Sequence, residues 1–243
     1  MNEVIGLLEA HRSIRHFSQQ PVENALVEAL IKSGQHAPSS SFLQAYSVIN
    51  IRDPIKRKQL AVWCGDQEHI IQAPVFLIFC GDMYRLQQAC EKHNVTMVQG
   101  MTEQLILASV DTAIMAQNVL TAAESMGIGG VYVGAIRNNP QGVTEMLNLP
   151  THVFPLFGMS LGYPAVDPQV KPRLPVSMVL MDETYTYDDQ QLEVYDETFR
   201  QYVKERKNNA REESWSGTVA RKLKNELRPH MKDYLNGQGF MLK

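Results

Sequence analysis

The sequence is organised around one long apolar stretch, TEQLILASVDTAIMAQNVLTAAESM, at residues 102–126. Nearly every helical turn over this stretch carries apolar side chains, which predicts a long helix buried in a large core or a subunit interface. Glu103, Asp111 and Glu124 interrupt the roughly 20-residue apolar run that a bilayer requires, so no membrane span is expected, and each embedded acid needs a partner. Gly127 supplies the left-handed residue that commonly ends a helix. The expected core positions of this helix are Leu105, Ile106, Val110, Ile114, Met115, Val119, Leu120 and Ala123.

Apolar segments on either side of this helix predict a sheet. Residues 46–51 alternate like a half-buried strand, whereas residues 75–80 are continuously apolar, as in a strand covered on both faces. Residues 154–161 form another apolar strand. Proline recurs in residues 167–175 and forces extended backbone there. Three helical stretches follow and form a basic C-terminal extension, near residues 192–205, 216–226 and 230–234.

Composition indicates a globular intracellular protein. Of 243 residues, 44% are hydrophobic and 20% charged, which excludes general disorder. The three cysteines form no CxxC pair, so neither a disulfide framework nor a zinc ribbon is indicated and a reducing cytoplasm is expected. Residues 1–10 lack the pattern of a secretory signal. The histidines are scattered, and no metal site is expected.

The net charge of −3 conceals an asymmetry, because residues 200–243 carry +6 and residues 1–199 carry −9. A basic tail attracts anions. Glutamates interrupt its charges, and no aromatic stripe is interleaved with them, so nucleic-acid binding is not expected. The dinucleotide fingerprint, the P-loop and the GxSxG and HExxH motifs are also absent.

Two basic segments are candidates for binding one anionic ligand. The run HRSIR at residues 11–15 combines two guanidiniums, an imidazole and a hydroxyl, which suits a phosphate, although a solvated basic turn has the same composition. Lys171 and Arg173 are two residues apart on extended backbone and therefore point to one face. The serines at 39–41 are either loop residues or further donors. The glycines of residues 129–134 permit either a tight turn or a flat ligand against the backbone.

Five motifs occur in order and together resemble one family. They are residues 11–15, SSSFLQ at 39–44, MAQN at 115–118 followed by AAES at 122–125, GGVYVG at 129–134, and KPRLP at 171–175. This pattern closely resembles the oxygen-insensitive, NADPH-preferring nitroreductases and flavin reductases over nearly the whole chain. The resemblance implies a single α+β domain with a nitroreductase-like fold: a central mixed sheet flanked by helices around the long buried helix, in a homodimer. Residues 1–190 are then the flavin-binding core, and residues 191–243 a helical extension contributing to the NADPH site and the dimer.

The resemblance also implies non-covalent FMN in two sites built from both subunits. The residues that match the family's FMN contacts are His11, Arg12, Ser13, Arg15, Ser39, Ser41, Gln67, Tyr132, Val133, Gly134, Ala135, Lys171 and Arg173. Positive charge near the ring tunes flavin electronics, and a nearly bare backbone at Gly134 suits a close approach to N5. Some family members have glycine where this chain has Ala135.

NADPH selectivity in the family rests on arginines that hold the 2′-phosphate, and Arg206 and Arg211 match them. Phe42 and Arg228 match residues that flank the substrate pocket. The implied activity is a ping-pong, two-electron reduction of small-molecule acceptors such as nitroaromatics and quinones, with no side chain acting as acid or base. Two alternatives are an NADPH:FMN reductase that supplies free reduced flavin to a partner, and a non-catalytic flavin carrier.

Overall fold

The computed structural model describes residues 2–206 and 212–243. The chain divides into two compact units: residues 1–167 with 228–243 form the first, and residues 168–227 the second. The expected functional division at residue 190 remains a prediction.

The first unit contains eight helices and four strands among its described residues. The helices are α1 (Glu3–Glu9), α2 (Asn24–Gln35), α3 (Pro54–Trp63), α4 (His69–Gln72), α5 (Tyr84–Lys92), α6 (Thr102–Ser125), α7 (Pro140–Leu147) and, at the C-terminus, α10 (Met231–Gly237). The strands are β1 (Tyr46–Asn50), β2 (Val75–Asp82), β3 (Gly129–Val133) and β4 (Val153–Gly162). Short 3₁₀ turns span Ser40–Phe42 and Gly134–Asn138.

Helix α6 confirms the long helix, and Gly127 follows it with φ +75°. One face packs into the core: Met115, Val119 and Leu120 are at most 1% exposed. The expectation that Ile106, Val110 and Ile114 are buried is wrong within the chain, where they are 51%, 48% and 38% exposed. These three residues are spaced by four, so they form a single stripe turned away from the sheet.

Among the described residues, α6 is the one helix that has the length and apolar composition of a membrane span. Its buried face shares a core cluster with Leu77 and Phe79 of β2 and Met159 of β4. Helix α6 therefore packs as a core helix does. A core helix can have the same length and apolar composition as a membrane span.

The described strands form a four-stranded sheet in the order β1-β2-β4-β3. All three pairings are antiparallel, unlike the mixed sheet expected. As predicted, β2 is buried on both faces, with Leu77 and Phe79 toward α6 and Phe76 and Ile78 toward a second core cluster. A doubly covered strand is typical of parallel sheets, but strand direction depends on the connections between strands, which an apolar run does not reveal.

The C-terminal residues complete the first unit. Phe240 is 1% exposed and packs edge-on against Phe154 of β4, with ring centroids 5.0 Å apart. Leu242 N donates to Gly100 O at 2.8 Å, beside the start of α6. The third core cluster therefore joins the end of the chain to the sheet.

In its described part, the second unit contains an extended segment and the helices α8 (Asp189–Lys204) and α9 (Trp215–Leu223), with a 3₁₀ turn at Val176–Met178. Residues 168–175 have no regular structure, as their prolines predict. Asp196 of α8 accepts a hydrogen bond from Ser216 N of α9 at 2.8 Å, and Tyr195 contacts Trp215 edge-on at 5.8 Å. These contacts fix the two helices to each other.

Candidate functional site

Residues 11–15 are attached to strand β3. Ile14 is 4% exposed, and its N–H donates to Gly130 O at 2.9 Å. A Cβ at Gly129 would lie 2.4 Å from Ile14 Cγ1, so glycine is required for this close approach. The basic segment therefore has a fixed position beside the sheet.

His11 and Arg12 already have partners in this unit. His11 Nδ1 lies 2.6 Å from Glu124 Oε1, and Arg12 Nε lies 2.5 Å from Asp167 Oδ1. Arg12 pairs with Asp167 through a second nitrogen and donates to Ala10 O at 2.8 Å. Three of the five guanidinium N–H groups are thus engaged, and a phosphate would share Arg12 with a carboxylate.

Arg15 lies close enough to a buried histidine to affect its protonation. His69 is 8% exposed, and burial, reinforced by the charges of Arg15 and His16, lowers its pKa to about 4. The His69 ring is therefore neutral at pH 7. The Arg15 side chain itself is exposed and available to a ligand.

The neutral ring of His69 holds Gln67. Gln67 Nε2 donates to Cys64 O at 3.0 Å, and this bond sets the orientation of the amide. Gln67 Oε1 lies 3.0 Å from His69 Nε2 and can only accept, so Nε2 carries the proton. Ser160 Oγ lies 3.1 Å from His69 Nδ1 and donates to the His69 carbonyl oxygen at 3.2 Å. The Gln67 amide is thereby oriented before any ligand binds.

The state of His69 predicts a pH dependence of stability. The ordinary pKa of 6.5 applies in the unfolded chain, so between pH 6.5 and pH 4 the unfolded state binds a proton that the folded state does not. Stability is therefore lost as the pH falls, and we expect the free energy of unfolding to drop by about 2 kcal/mol between pH 7 and pH 5 through this residue. Urea unfolding of the wild type and of His69→Gln at both pH values measures the contribution. Burial also lowers the pKa of His152, but His152 is present in both proteins, so its contribution cancels when their losses of stability are compared. Equal losses in the two proteins would contradict this assignment.

The end of β3 provides four of the expected FMN contacts, Tyr132, Val133, Gly134 and Ala135. Val133 is buried, and Ala135 packs against the second core cluster. The Tyr132 hydroxyl donates to Gln117 at 3.3 Å, and burial, with the nearby Glu124 charge, raises the pKa of Tyr132. The Tyr132 phenol is therefore a neutral donor.

Gly134 begins the 3₁₀ turn after β3, and the side chain that lies nearest to it is that of Arg137. A Cβ at Gly134 would meet only the guanidinium of Arg137, at 3.4 Å or more. Arg137 also donates to Leu156 O. Burial lowers the pKa of Arg137, and the nearby positive charge of Arg228 lowers it further. Arg228 Nε also donates to Asn138 Oδ1 at 2.9 Å. Arg228, expected at the substrate pocket, is thus fixed beside this turn.

The serine loop is attached to α6 by a buried carboxylate. Asp111 is 1% exposed and accepts from Ser40 N at 2.9 Å and from Ala45 N at 3.2 Å. Ser39 Oγ accepts from Gln44 N at 3.3 Å within the loop. Ser41 is exposed, and Phe42 is 80% exposed.

Lys171 and Arg173 lie in the second unit, both exposed. Tyr195 of α8 donates to Pro172 O at 3.0 Å, which anchors the extended segment between the two cations. An open cleft of about 570 Å³ lies along α8 and is lined by Lys171, Tyr202 and Glu205. The half-buried Arg206 follows directly.

Arg211 lies outside the described residues. Of the two acids after it, Glu213 pairs with Arg221 at 2.8 Å.

The structure thus attaches residues 11–15 to the start of β3 and places Arg15 near His69, which contacts Gln67. In the ranges 2–206 and 212–243, no hydrogen bond or ion pair joins the loop of Ser39 and Ser41 to residues 11–15. The convergence of Lys171 and Arg173 on the same ligand remains a prediction. Over the same ranges, no group of three histidine, cysteine or acidic side chains suits a metal ion.

Several site residues were not identified from the sequence. For Asp111, the sequence indicated only that an acid within an apolar helix needs a partner, and it did not identify Ser40 and Ala45 as the partners. His69 is separated by one residue from Gln67, but a lone histidine carries no signal of burial. Arg137 and Asn138 come three and four residues after GGVYVG, and their proximity to Arg228 depends on the return of the C-terminal segment to the first unit.

Comparison with known proteins covers the whole chain. The nitroreductase family matches residues 8–163, and the nitroreductase family C-terminal domain matches residues 171–243. The oxygen-insensitive NADPH nitroreductase of Salmonella typhimurium is 47% identical over 241 residues, 99% of each chain. The FMN reductase (NADPH) of Bacillus subtilis is 39% identical over 99% of each chain. Among solved structures, the NADPH:FMN oxidoreductase of Vibrio harveyi complexed with NAD⁺ is similar, with a TM-score of 0.92, 39% identity and full coverage of both chains.

Proposed function

Because the chain belongs to the nitroreductase family, we propose that it is a homodimeric, FMN-containing NADPH oxidoreductase that reduces nitroaromatics, quinones and related acceptors by two electrons. NADPH-dependent reduction through a flavin is the activity that its full-length relatives share. The acceptor, the ping-pong order of steps and the residue roles are our proposal. The observation that carries it is that Arg15 and Gln67 both lie near His69, in the unit whose strand β3 leads into Gly134.

The donor set of the first unit fits FMN. An exposed guanidinium at Arg15 suits an anionic ligand, and the Gln67 amide is oriented to hydrogen-bond a polar ring edge. At Gly134 the backbone has no Cβ that would block a flat ring. FMN, when bound, supplies the hydride chemistry.

The protein's own contribution is binding and orientation. Arg15 provides a permanent positive charge, because a guanidinium stays protonated at any working pH. His69 is neutral and leaves the local positive charge to Arg15. Gly134 and Ala135 present their backbone at the end of a buried strand. No side chain is assigned a proton-transfer role.

A second copy of the chain completes the site in this proposal. The stripe of Ile106, Val110 and Ile114 is apolar and exposed along the central helix, as in a subunit interface. The loop carrying Ser39, Ser41 and Phe42 is attached to the same helix through Asp111. We infer that the partner's loop reaches the flavin bound by residues 11–15.

Val110→Glu tests the homodimer. The substitution places an unpaired carboxylate in the stripe of each subunit, and we expect the dimer dissociation constant to rise at least about 100-fold. Sedimentation velocity over a range of concentrations measures this change, and bound FMN is expected to fall with the dimer. Ile55→Glu is the matched control, since Ile55 is 76% exposed on α3, outside the stripe. A dimer of Val110→Glu as stable as that of Ile55→Glu would refute the interface.

We assign NADPH to the cleft along α8. Arg206 supplies a cation beside this cleft, and the ion pair of Glu213 with Arg221 offsets one of the two acidic charges that follow Arg211 in the sequence. A reducing cytoplasm is the proposed location. It is consistent with Cys64 and Cys80, which are buried free thiols.

Anaerobic mixing tests the function. Addition of one equivalent of NADPH to the FMN-loaded protein is expected to bleach the visible flavin band, and nitrofurazone then restores it without added NADPH. A bound flavin that NADPH does not bleach would contradict the proposed enzymatic activity and would favour the non-catalytic flavin carrier.

The second candidate is an NADPH:FMN reductase, and the Bacillus subtilis relative of that name favours it. Comparison of kcat/KM for nitrofurazone with that for free FMN, at saturating NADPH, distinguishes the two. A clear preference for free FMN would assign the second function.

A further inference from the structure

The serine loop is held in a conformation that its residues disfavour. Ser41 has φ 49° and ψ 25°, Phe42 has φ 59°, and Gln44 has φ 55°. None of the three is glycine, and each left-handed residue lowers the population of the conformation by about 5- to 30-fold. Three such residues within four positions require a compensating interaction.

Asp111 supplies that interaction from helix α6. Its Oδ1 accepts from Ser40 N at 2.9 Å and its Oδ2 from Ala45 N at 3.2 Å, so the two bonds bracket the left-handed residues. Bonds inside the loop also close it, from Phe42 N to Ser39 O at 3.1 Å and from Gln44 N to Ser39 Oγ at 3.3 Å. Among the described residues, the hydrogen bonds that tie the loop to the central helix are those of Asp111.

Packing alone does not account for this arrangement. A carboxylate that is 1% exposed carries a desolvation cost that an apolar residue would avoid. The tip of the loop is not part of the core, since Phe42 is 80% exposed and Leu43 39% exposed. Strained backbone at an exposed position is characteristic of functional sites.

We propose that Asp111 is a positioning residue whose carboxylate holds the loop of residues 39–44 in its left-handed conformation and so presents Ser41 and Phe42 to the flavin. This inference rests on the proposed function, because the flavin is its ligand. Asp111 does not touch the cofactor, and it acts through the backbone of Ser40 and Ala45. Val110, in the proposed interface, precedes Asp111 on the same helix.

Asp111→Asn is the first test. Asparagine replaces one of the two carboxylate oxygens with an NH₂ donor, so one of the two backbone N–H groups, of Ser40 or Ala45, then faces a donor instead of an acceptor. We expect amide exchange over residues 40–46 of the FMN-free protein to accelerate at least about tenfold, and the FMN dissociation constant to rise about tenfold, the scale of one lost bond to a charged group. Asp82→Asn is the matched control. Asp82 is also buried, at 6% exposed, but its side chain bonds Ser47 and Arg85, and both quantities should change less than twofold.

Rescue separates positioning from a general effect on folding. In the Asp111→Asn background, Gln44→Gly removes a left-handed penalty and is expected to recover about fivefold in FMN affinity relative to Gln44→Ala, which retains the penalty. Equal affinities of the two double variants would overturn the proposal. Wild-type exchange over residues 40–46 in Asp111→Asn, or faster exchange with unchanged FMN affinity, would also overturn it.

The wild-type protein gives an independent measurement if Asp111→Asn does not fold. The amides of Ser40 and Ala45 should be protected from exchange in the FMN-free protein, and rapid exchange of both would refute the anchoring. A wild type that exchanges slowly but binds no FMN would overturn the proposed function and the presentation of Ser41 and Phe42, while leaving the anchoring role of Asp111 supported.

Discussion

Replacing Arg15 with alanine is expected to weaken FMN binding by about 1.5–3 kcal/mol, the usual scale of a hydrogen bond to a charged group. The expectation follows from position, because Arg15 is exposed and lies near His69, which contacts Gln67, whereas Arg12 already pairs with Asp167. Fluorescence titration of the FMN-free protein with FMN measures the change.

Two further variants make the Arg15 result specific. Arg15→Lys keeps the charge and loses the planar fork, so its affinity should fall between those of the wild type and Arg15→Ala. Arg52→Ala removes an exposed arginine of the same unit, just after β1, and should leave the affinity unchanged. An Arg15→Ala protein that binds FMN like the wild type would remove this residue from the site.

Arg206→Ala is expected to raise the KM for NADPH by about 10- to 100-fold and to leave the KM for NADH nearly unchanged. The two nucleotides differ only in the 2′-phosphate, so an effect confined to NADPH identifies that group as the partner of Arg206. Arg206 follows α8 beside the open cleft, a position that suits this contact.

The control for Arg206 is Arg200→Ala. Arg200 lies on α8, where it pairs with Glu197 at 2.9 Å, and its loss should change neither KM by more than about twofold, since exposed ion pairs contribute little. Equal increases for NADPH and NADH in Arg206→Ala would refute the 2′-phosphate assignment.

The sequence predicted the elements whose signal is local. The continuous apolar run of residues 75–80 became the doubly covered β2, and Gly127 ended α6 as expected. Helix α7 was not predicted. For α7 the signals were present, namely the Asn139 cap and Pro140 at its first turn.

The parts of the site that escaped prediction depend on contacts between distant segments. The bonds of Asp111 to Ser40 and Ala45 span 71 and 66 residues, and those of His69 to Ser160 span 91. The left-handed backbone of Ser41 and Phe42 has no signature either, because neither residue favours that conformation. Periodicity describes one segment at a time and does not identify its partners.

The central claim is that basic residues from two distant segments bind one FMN. A crystal structure of the protein with FMN tests it most directly. The account predicts one FMN per protomer, in contact with Arg15 and Gln67 of one region and with Lys171 and Arg173 of the other. An FMN bound away from residues 11–15, or a structure in which Lys171 and Arg173 lie on a surface separate from it, would contradict the account.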